Sequence, residues 1–259
     1  MPKFPIAPLP APLIAHRGYS SKAPENTYAS FELAYQSGVR WLETDVQIIS
    51  DNTFVLFHDE HLDRCTDMSG MVSNLTHAKL PLIDAGSWFS QEYAGEQIPV
   101  LEDFLNFVLT RNLYVNLELK LENSNADPVH YAKHFVKILQ SNAEILPRVL
   151  LSSFDYQLLV AVRSRLPEVP IAYLAEEHAP DAFDKINNIQ ASSYHIAFQA
   201  LSKQLVSDCL SRDIALRVYT VNSIKLLASL LKFIEPMRIS GFFTDDPLIF
   251  ITDPSEQDL

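Results

Sequence analysis

The sequence is poor in glycine, cysteine and positive charge, and each shortage removes a class of explanation. Only six glycines occur in 259 residues, so each is expected to hold a specific turn, and Gly18 stands alone where a dinucleotide-binding loop would cluster several. Two cysteines, Cys65 and Cys209, lack metal-type spacing and fit a reducing compartment rather than a disulfide framework. Twenty Lys and Arg stand against 32 Asp and Glu, a formal charge of −12. That balance disfavours nucleic acid and anionic membranes as partners, and an anionic ligand would need a locally positive site. No apolar run reaches the ~18 residues of a membrane span, and the Pro-rich start lacks a signal-peptide layout, so a cytoplasmic location is expected. What remains is 47% hydrophobic residues, ample for one large α/β core.

The chain is organised around Leu13-Ile14-Ala15-His16-Arg17-Gly18, an apolar run that stops at two cationic-capable side chains. It reads as a short buried strand handing over, through a turn at Gly18, to a helix from Tyr28 to Ser37 capped by Asn26 or Thr27 and closed by Gly38. The junction of strand and helix is where α/β sheets place their chemistry. The next strand, Trp41 to Ile48, alternates with period two and puts Glu43, Asp45 and Gln47 on one face. Buried carboxylates at i and i+2 are costly unless a cation lies between them; a solvated edge strand is the plain alternative. A turn at Ser50-Asp51-Asn52 then predicts a hairpin return over 53–58. Centred between Ser50 and Asp51, it sets His58 opposite Glu43 and Leu56 opposite Asp45, a register on which the face of His58 depends.

Residues 60–98 hold turn signals without sustained periodicity, the mark of a lid or binding loop, with Trp88, Phe89 and Tyr93 expected as its apolar lining and His61 and His77 as surface or packing residues. Strands and helices then alternate from Leu101 to Thr244, and Asp253 to Leu259 reads as a disordered acidic tail. Eight strand–helix units predict a TIM (β/α)8 barrel with a hairpin return after the second strand and an insertion of about 60–98, all within one domain spanning 1–259. A doubly wound open sheet is the other candidate. In a barrel the C-terminal strand ends share one mouth, which gathers His16, Arg17, Glu43, Asp45, His58, Glu118 and Lys120. Three carboxylates without a thiol suit Mg²⁺ or Ca²⁺. Arg17 and Lys120 suit a phosphate, and two histidines supply a general acid and base.

In order along the chain, His16-Arg17-Gly18 with Pro24-Glu25-Asn26-Thr27, Glu43-Thr44-Asp45-Val46, His58-Asp59, Asp84-Ala85-Gly86-Ser87-Trp88-Phe89, Glu118-Leu119-Lys120, Ser152-Ser153-Phe154, Tyr219-Thr220-Val221-Asn222 and Phe243-Thr244-Asp245 resemble the glycerophosphodiester phosphodiesterases. The resemblance implies hydrolysis of a small glycerophosphodiester, such as a choline or ethanolamine ester, to an alcohol and glycerol 3-phosphate. It implies a divalent cation held by Glu43, Asp45 and Glu118, an acid–base pair in His16 and His58, and phosphate contacts from Arg17 and Lys120. The segment 60–98 resembles the family's extra segment over the barrel mouth. Tyr219 stands where tryptophan is frequent, and would meet the substrate's alcohol side. Asp246-Pro247 stands where a basic residue is common, which would disfavour very acidic head groups. Two rivals share these residues: a phospholipase D-like hydrolase of lysophospholipids, and a barrel that binds phosphate ligands without turnover.

Overall fold

The computed structural model describes residues 13–121, 127–233 and 239–251; the acidic tail expected after Asp253 lies outside them. Eight parallel strands close into a barrel: β1 (Leu13–Ala15), β2 (Trp41–Ile48), β4 (Tyr114–Leu119), β5 (Val149–Ser153), β6 (Ile171–Ala175), β7 (Ser193–Ala197), β8 (Ala215–Tyr219) and β9 (Gly241–Thr244). The ring closes because β1 pairs with β9 on one side and β2 on the other. Helices α1 (Tyr28–Gln36), α2 (Leu101–Thr110), α3 (Pro128–Ser141), α4 (Tyr156–Arg163), α5 (Ala182–Asn188), α6 (Lys203–Ser211), α7 (Ile224–Phe233) and α8 (Leu248–Ile251) follow the strands. Side chains cap several of them: Thr27 accepts from Ser30 N, Asp127 from Val129 N, Asp155 from Leu158 N and Ser202 from Leu205 N. None of the described helices is long and apolar enough to cross a membrane. Cys65 and Cys209 are buried and free.

The short antiparallel strand β3 (Phe54–Leu56) is the expected hairpin return, and it lies on the same edge of β2 as β1. β1 pairs only with Trp41 and Leu42, so the upper edge of β2 is left for Val46–Ile48 to pair with β3. The register differs by one from the sequence expectation, for Leu56 faces Val46 rather than Asp45. The reason is the loop. Ile49 N donates to Thr53 O at 2.9 Å, and Asn52 takes a left-handed φ of 65°, which makes a three-residue turn rather than a two-residue one. His58 nevertheless reaches the cavity, because β3 ends at Leu56 and the ladder no longer dictates its direction.

The register stacks the inward-facing residues in layers drawn from alternate strands. His16, Glu118, Leu174 and Tyr219 form one layer; Glu43, Ser152, His195 and Phe243 lie beneath it; Ile14, Asn116, Ala172 and Arg217 come next. Outward-facing Leu42, Val115, Leu117, Leu119 and Leu151 pack with Phe31, Phe104 and Phe135 in the main core between barrel and helices.

The segment 60–98 is more ordered than its sequence suggested. Four 3₁₀ turns fold over a separate core of Leu62, Cys65, Val72, Leu75, Leu80, Ile83 and Ile98, packed on Val55 and Phe57 of the hairpin. Asp84 clasps this segment through bonds from the amides of Gly86, Ser87 and Gly95.

The turn after β1 has no room for a side chain at Gly18. Its φ is +80°, and an added Cβ would lie 2.7 Å from the Ser30 carbonyl carbon. Gly18→Ala is therefore expected to combine a left-handed backbone penalty with a clash, about 3 kcal/mol together, which a thermal melt would read as a fall of roughly 6–12 °C. Gly38, with φ +88° and nothing within 4 Å of such a Cβ, provides the comparison, and Gly38→Ala should cost only the backbone part, about 1–2 kcal/mol. Equal losses at the two sites would remove the steric part of the explanation.

Candidate active site

Strand ends deliver the acidic residues. Glu43 and Asp45 project from β2 and Glu118 from β4, where Asp45 and Glu118 are register partners. One oxygen of each lies within 4.8 Å of the others. Glu43 and Asp45 are 2% and 1% exposed, so this proximity is not a solvated acidic face. Burial, then the charges of Asp45 and Glu118, hold the Glu43 carboxyl well above its ordinary range. Burial and Asp45 push Glu118 up to about 7. Burial also opposes ionisation of Asp45, but Arg17, Lys120 and His58 outweigh it and draw that carboxyl down to about 2. Glu43 Oε1 is buried with no hydrogen-bond partner. An all-oxygen donor set, mutual repulsion and an orphaned carboxylate oxygen together fit a hard divalent cation.

The turn after β1 wraps cations around these acids. Arg17, at a left-handed φ of 56°, aims its amide at Glu43 Oε2 (2.9 Å), while its guanidinium meets Glu25 (2.8 Å) and Asp45 (3.2 Å). Asn26, also left-handed, donates to Asp45 Oδ2 at 2.9 Å and accepts from Thr44 Oγ1 at 2.7 Å. Lys120 Nζ lies 3.5 Å from Glu118 and 3.7 Å from Asp45.

Both histidines are pinned at Nδ1. His16 meets Asp245 at 2.6 Å and His58 meets Asp59 at 2.6 Å, which leaves each Nε2 as the nitrogen available to a substrate. His16 Nε2 lies 3.9 Å from Glu43 Oε2. Burial, with Arg17 and Lys120, holds His58 below the ordinary histidine value despite Asp45 and Asp59.

Several supporting residues escaped the sequence reading. The Gln47 amide reaches the carbonyls of Phe57, His58 and Asp59 at 2.8, 3.1 and 2.7 Å and so fixes the segment that carries His58. Arg64, from the first 3₁₀ turn of the insertion, grips Asp59 (2.6 and 2.8 Å) and Glu25 (2.8 Å twice). A continuous chain of ion pairs therefore runs from His58 through Asp59, Arg64, Glu25 and Arg17 to Asp45. Nothing in the spacing marks Arg64; a side chain that bridges two carboxylates 39 and 5 residues away is visible only in the fold.

Every residue expected at the site except Asp45 lines one cavity of about 670 Å³, and Asp45 lies in contact with Arg17 and Lys120 at its edge. Tyr219 lines it too, with its hydroxyl committed to Ala175 O at 2.8 Å. Trp88, Phe89 and Tyr93 do not line it, contrary to expectation. They pack on one another, and the Tyr93 hydroxyl bonds Lys22 O. The aromatic lining comes instead from Phe154, Tyr219 and Phe243. At the floor, Asn116 Oδ1 and both ring nitrogens of the buried His195 have no protein partner, which calls for ordered water there.

The family model described as the glycerophosphoryl diester phosphodiesterase family matches residues 16–249. The chain is 33% identical over 240 residues to a glycerophosphodiester phosphodiesterase of Bacillus altitudinis, covering 91% of this chain and 94% of the relative. A protein of the same name from Caldanaerobacter subterraneus is 31% identical over 235 residues, covering 91% and 94%. Among solved structures, an Oleispira antarctica phosphodiesterase in complex with the product sn-glycerol-3-phosphate superposes with a TM-score of 0.83 at 32% identity, covering 92% and 94% of the two chains.

Proposed function

Because the chain belongs to the glycerophosphoryl diester phosphodiesterase family, we propose that it hydrolyses a glycerophosphodiester to an alcohol and sn-glycerol 3-phosphate. The observation that carries this reading is the convergence on one cavity of two carboxylate-pinned histidines, two phosphate-seeking cations and three clustered acids. A binder has no use for an acid–base pair, which weighs against turnover-free binding.

Glu43, Asp45 and Glu118 would hold Mg²⁺ or Ca²⁺, which when bound neutralises charge on the phosphoryl oxygens. Arg17 and Lys120 bind and orient the phosphate through charge-assisted bonds. One imidazole accepts the proton of the hydroxyl that attacks phosphorus, here the neighbouring hydroxyl of the glycerol unit, and the other protonates the departing alcohol. Asp59 and Asp245 fix each ring's tautomer, so that Nε2 carries the transfer. Water then opens the cyclic phosphate with the histidine roles reversed.

The test compares glycerophosphocholine with its counterpart lacking the neighbouring hydroxyl, in the presence of Mg²⁺ or Ca²⁺. Choline and sn-glycerol 3-phosphate are expected from the first alone. No release from either diester overturns the functional reading, and equal release from both overturns the cyclic route.

A further inference from the structure

The barrel interior holds a cation that the catalytic chemistry does not use. Arg217 points inward from β8, shares its layer with Ile14, Asn116 and Ala172, and is only 3% exposed. Among the described residues no carboxylate pairs with it. One guanidinium nitrogen, Nη1, donates to Ser193 Oγ, and that hydroxyl is itself committed to Ala215 O at 3.0 Å. Nε is buried without a partner. Burial alone draws the guanidinium down to about 10, so it stays charged at neutral pH. The buried acids nearer the mouth do not answer it, because Arg17 and Lys120 already do so for Glu43, Asp45 and Glu118.

The surroundings of Arg217 add donors rather than acceptors of charge. His195, its register partner on β7, is fully buried and neither ring nitrogen has a partner. Burial, and then the charge of Arg217, keep that imidazole neutral, with one N–H to give. The indole N–H of Trp41, inward on β2, is also buried and unpaired. Ala172, Ser193 and Gly241 are the short inward residues on the strands of this side, and they leave space beside the longer arginine. The catalytic cavity reaches down to Asn116 and His195, which gives a small solute a way in. Ordered water can satisfy the donors here, but it cannot cancel a charge, and an arginine does not shed its proton.

We propose that Arg217 and His195 bind a halide-sized monovalent anion, such as chloride, inside the barrel beneath the catalytic cavity. One negative charge balances the one guanidinium, while a divalent oxyanion would bring back an uncompensated charge of the other sign. The anion accepts from Arg217 Nε–H and from the His195 N–H, two donors that the fold itself leaves over. This site is separate from the phosphate contacts of Arg17 and Lys120, and it does not depend on the phosphodiesterase reading.

The test is a thermal melt of the full chain in sodium chloride against sodium gluconate at matched ionic strength. Chloride at tenfold excess over its Kd is expected to raise the melting temperature by about 3–6 °C, with a saturating dose response. Arg217→Met keeps the volume and removes the charge, so its melt should be the same in both salts. Crystals of the unaltered protein soaked in bromide should show an anomalous peak in contact with Arg217 Nε, a readout that stands even if the variant does not fold. Equal melting of the unaltered protein in the two salts, an undiminished chloride response in Arg217→Met, or bromide-soaked crystals with water alone at the guanidinium would each overturn the proposal.

Discussion

Replacing His58 by alanine is expected to lower kcat by about 10²–10⁴, and His16→Ala by a similar factor, with each variant still folded. The folding expectation follows from the surroundings. His58 is 32% exposed and its partner Asp59 keeps both bonds from Arg64 when the imidazole is gone, so no buried charge is orphaned. His16 is 18% exposed, and Asp245 keeps Asn222 and Ser20. The loss should therefore fall on turnover, with the melting temperature nearly unchanged. Burial, Arg17 and Lys120 disfavour the charged form of His58. If His58 is the proton acceptor, the acid limb of kcat/KM lies below the pH at which a free histidine would place it. Steady-state kinetics over a pH series, with a melt of each variant, checks all of this. A histidine variant that retains full turnover does not belong to the acid–base pair.

Removal of divalent cations is expected to abolish turnover and to destabilise the fold, for one electrostatic reason. The metal-free site packs Glu43, Asp45 and Glu118 together in the interior, with burial and mutual repulsion raising Glu43 and Glu118. A carboxyl whose folded value is raised contributes stability below its unfolded value, and that contribution is lost as pH rises through the folded one. For Glu118 the window runs from the ordinary glutamate range to about 7. The chelated protein should thus melt lower at pH 8 than at pH 5.5. Saturating Mg²⁺ or Ca²⁺ should raise the melting temperature most at the higher pH, a hundredfold excess over Kd adding about 2.7 kcal/mol of stability. Glu43→Gln separates the effects, since it relieves repulsion in the metal-free state while deleting a donor. Its chelated form should melt above the unaltered chelated protein, and its gain on adding metal should be smaller. A chelated protein indifferent to this substitution would remove repulsion as the cause.

Much of this site could be read along the chain because it is written in strands. Period-two alternation put Glu43 and Asp45 on one face and Glu118 with Lys120 on another, and closing the barrel then brings these faces together. Strand-end residues are legible because their direction follows from position. Loop residues are not: Arg64, Asp59 and Asp245 act through bonds that no spacing encodes. The hairpin shows how narrow the margin is. One left-handed residue, Asn52, lengthened the turn and moved the register by one, yet β3 stopped early enough for His58 to reach the cavity. Asparagine just before the return strand was the available signal, being among the residues that tolerate that conformation. The polar floor escaped for the opposite reason, since His195 and Arg217 sit in strands whose interior position reads as ordinary packing.

Arg64 gives the segment 60–98 a consequence beyond its own packing. A chain shortened by deleting that segment could keep all eight barrel strands and still lose the outward grip on Asp59 and Glu25. Such a truncation would strip the core packed on Val55 and Phe57 and leave one imidazole and one guanidinium misaimed. Sequence drift across the outer surface of this segment is cheap, whereas drift at that single arginine reaches Asp59 and Glu25 and, through them, His58 and Arg17.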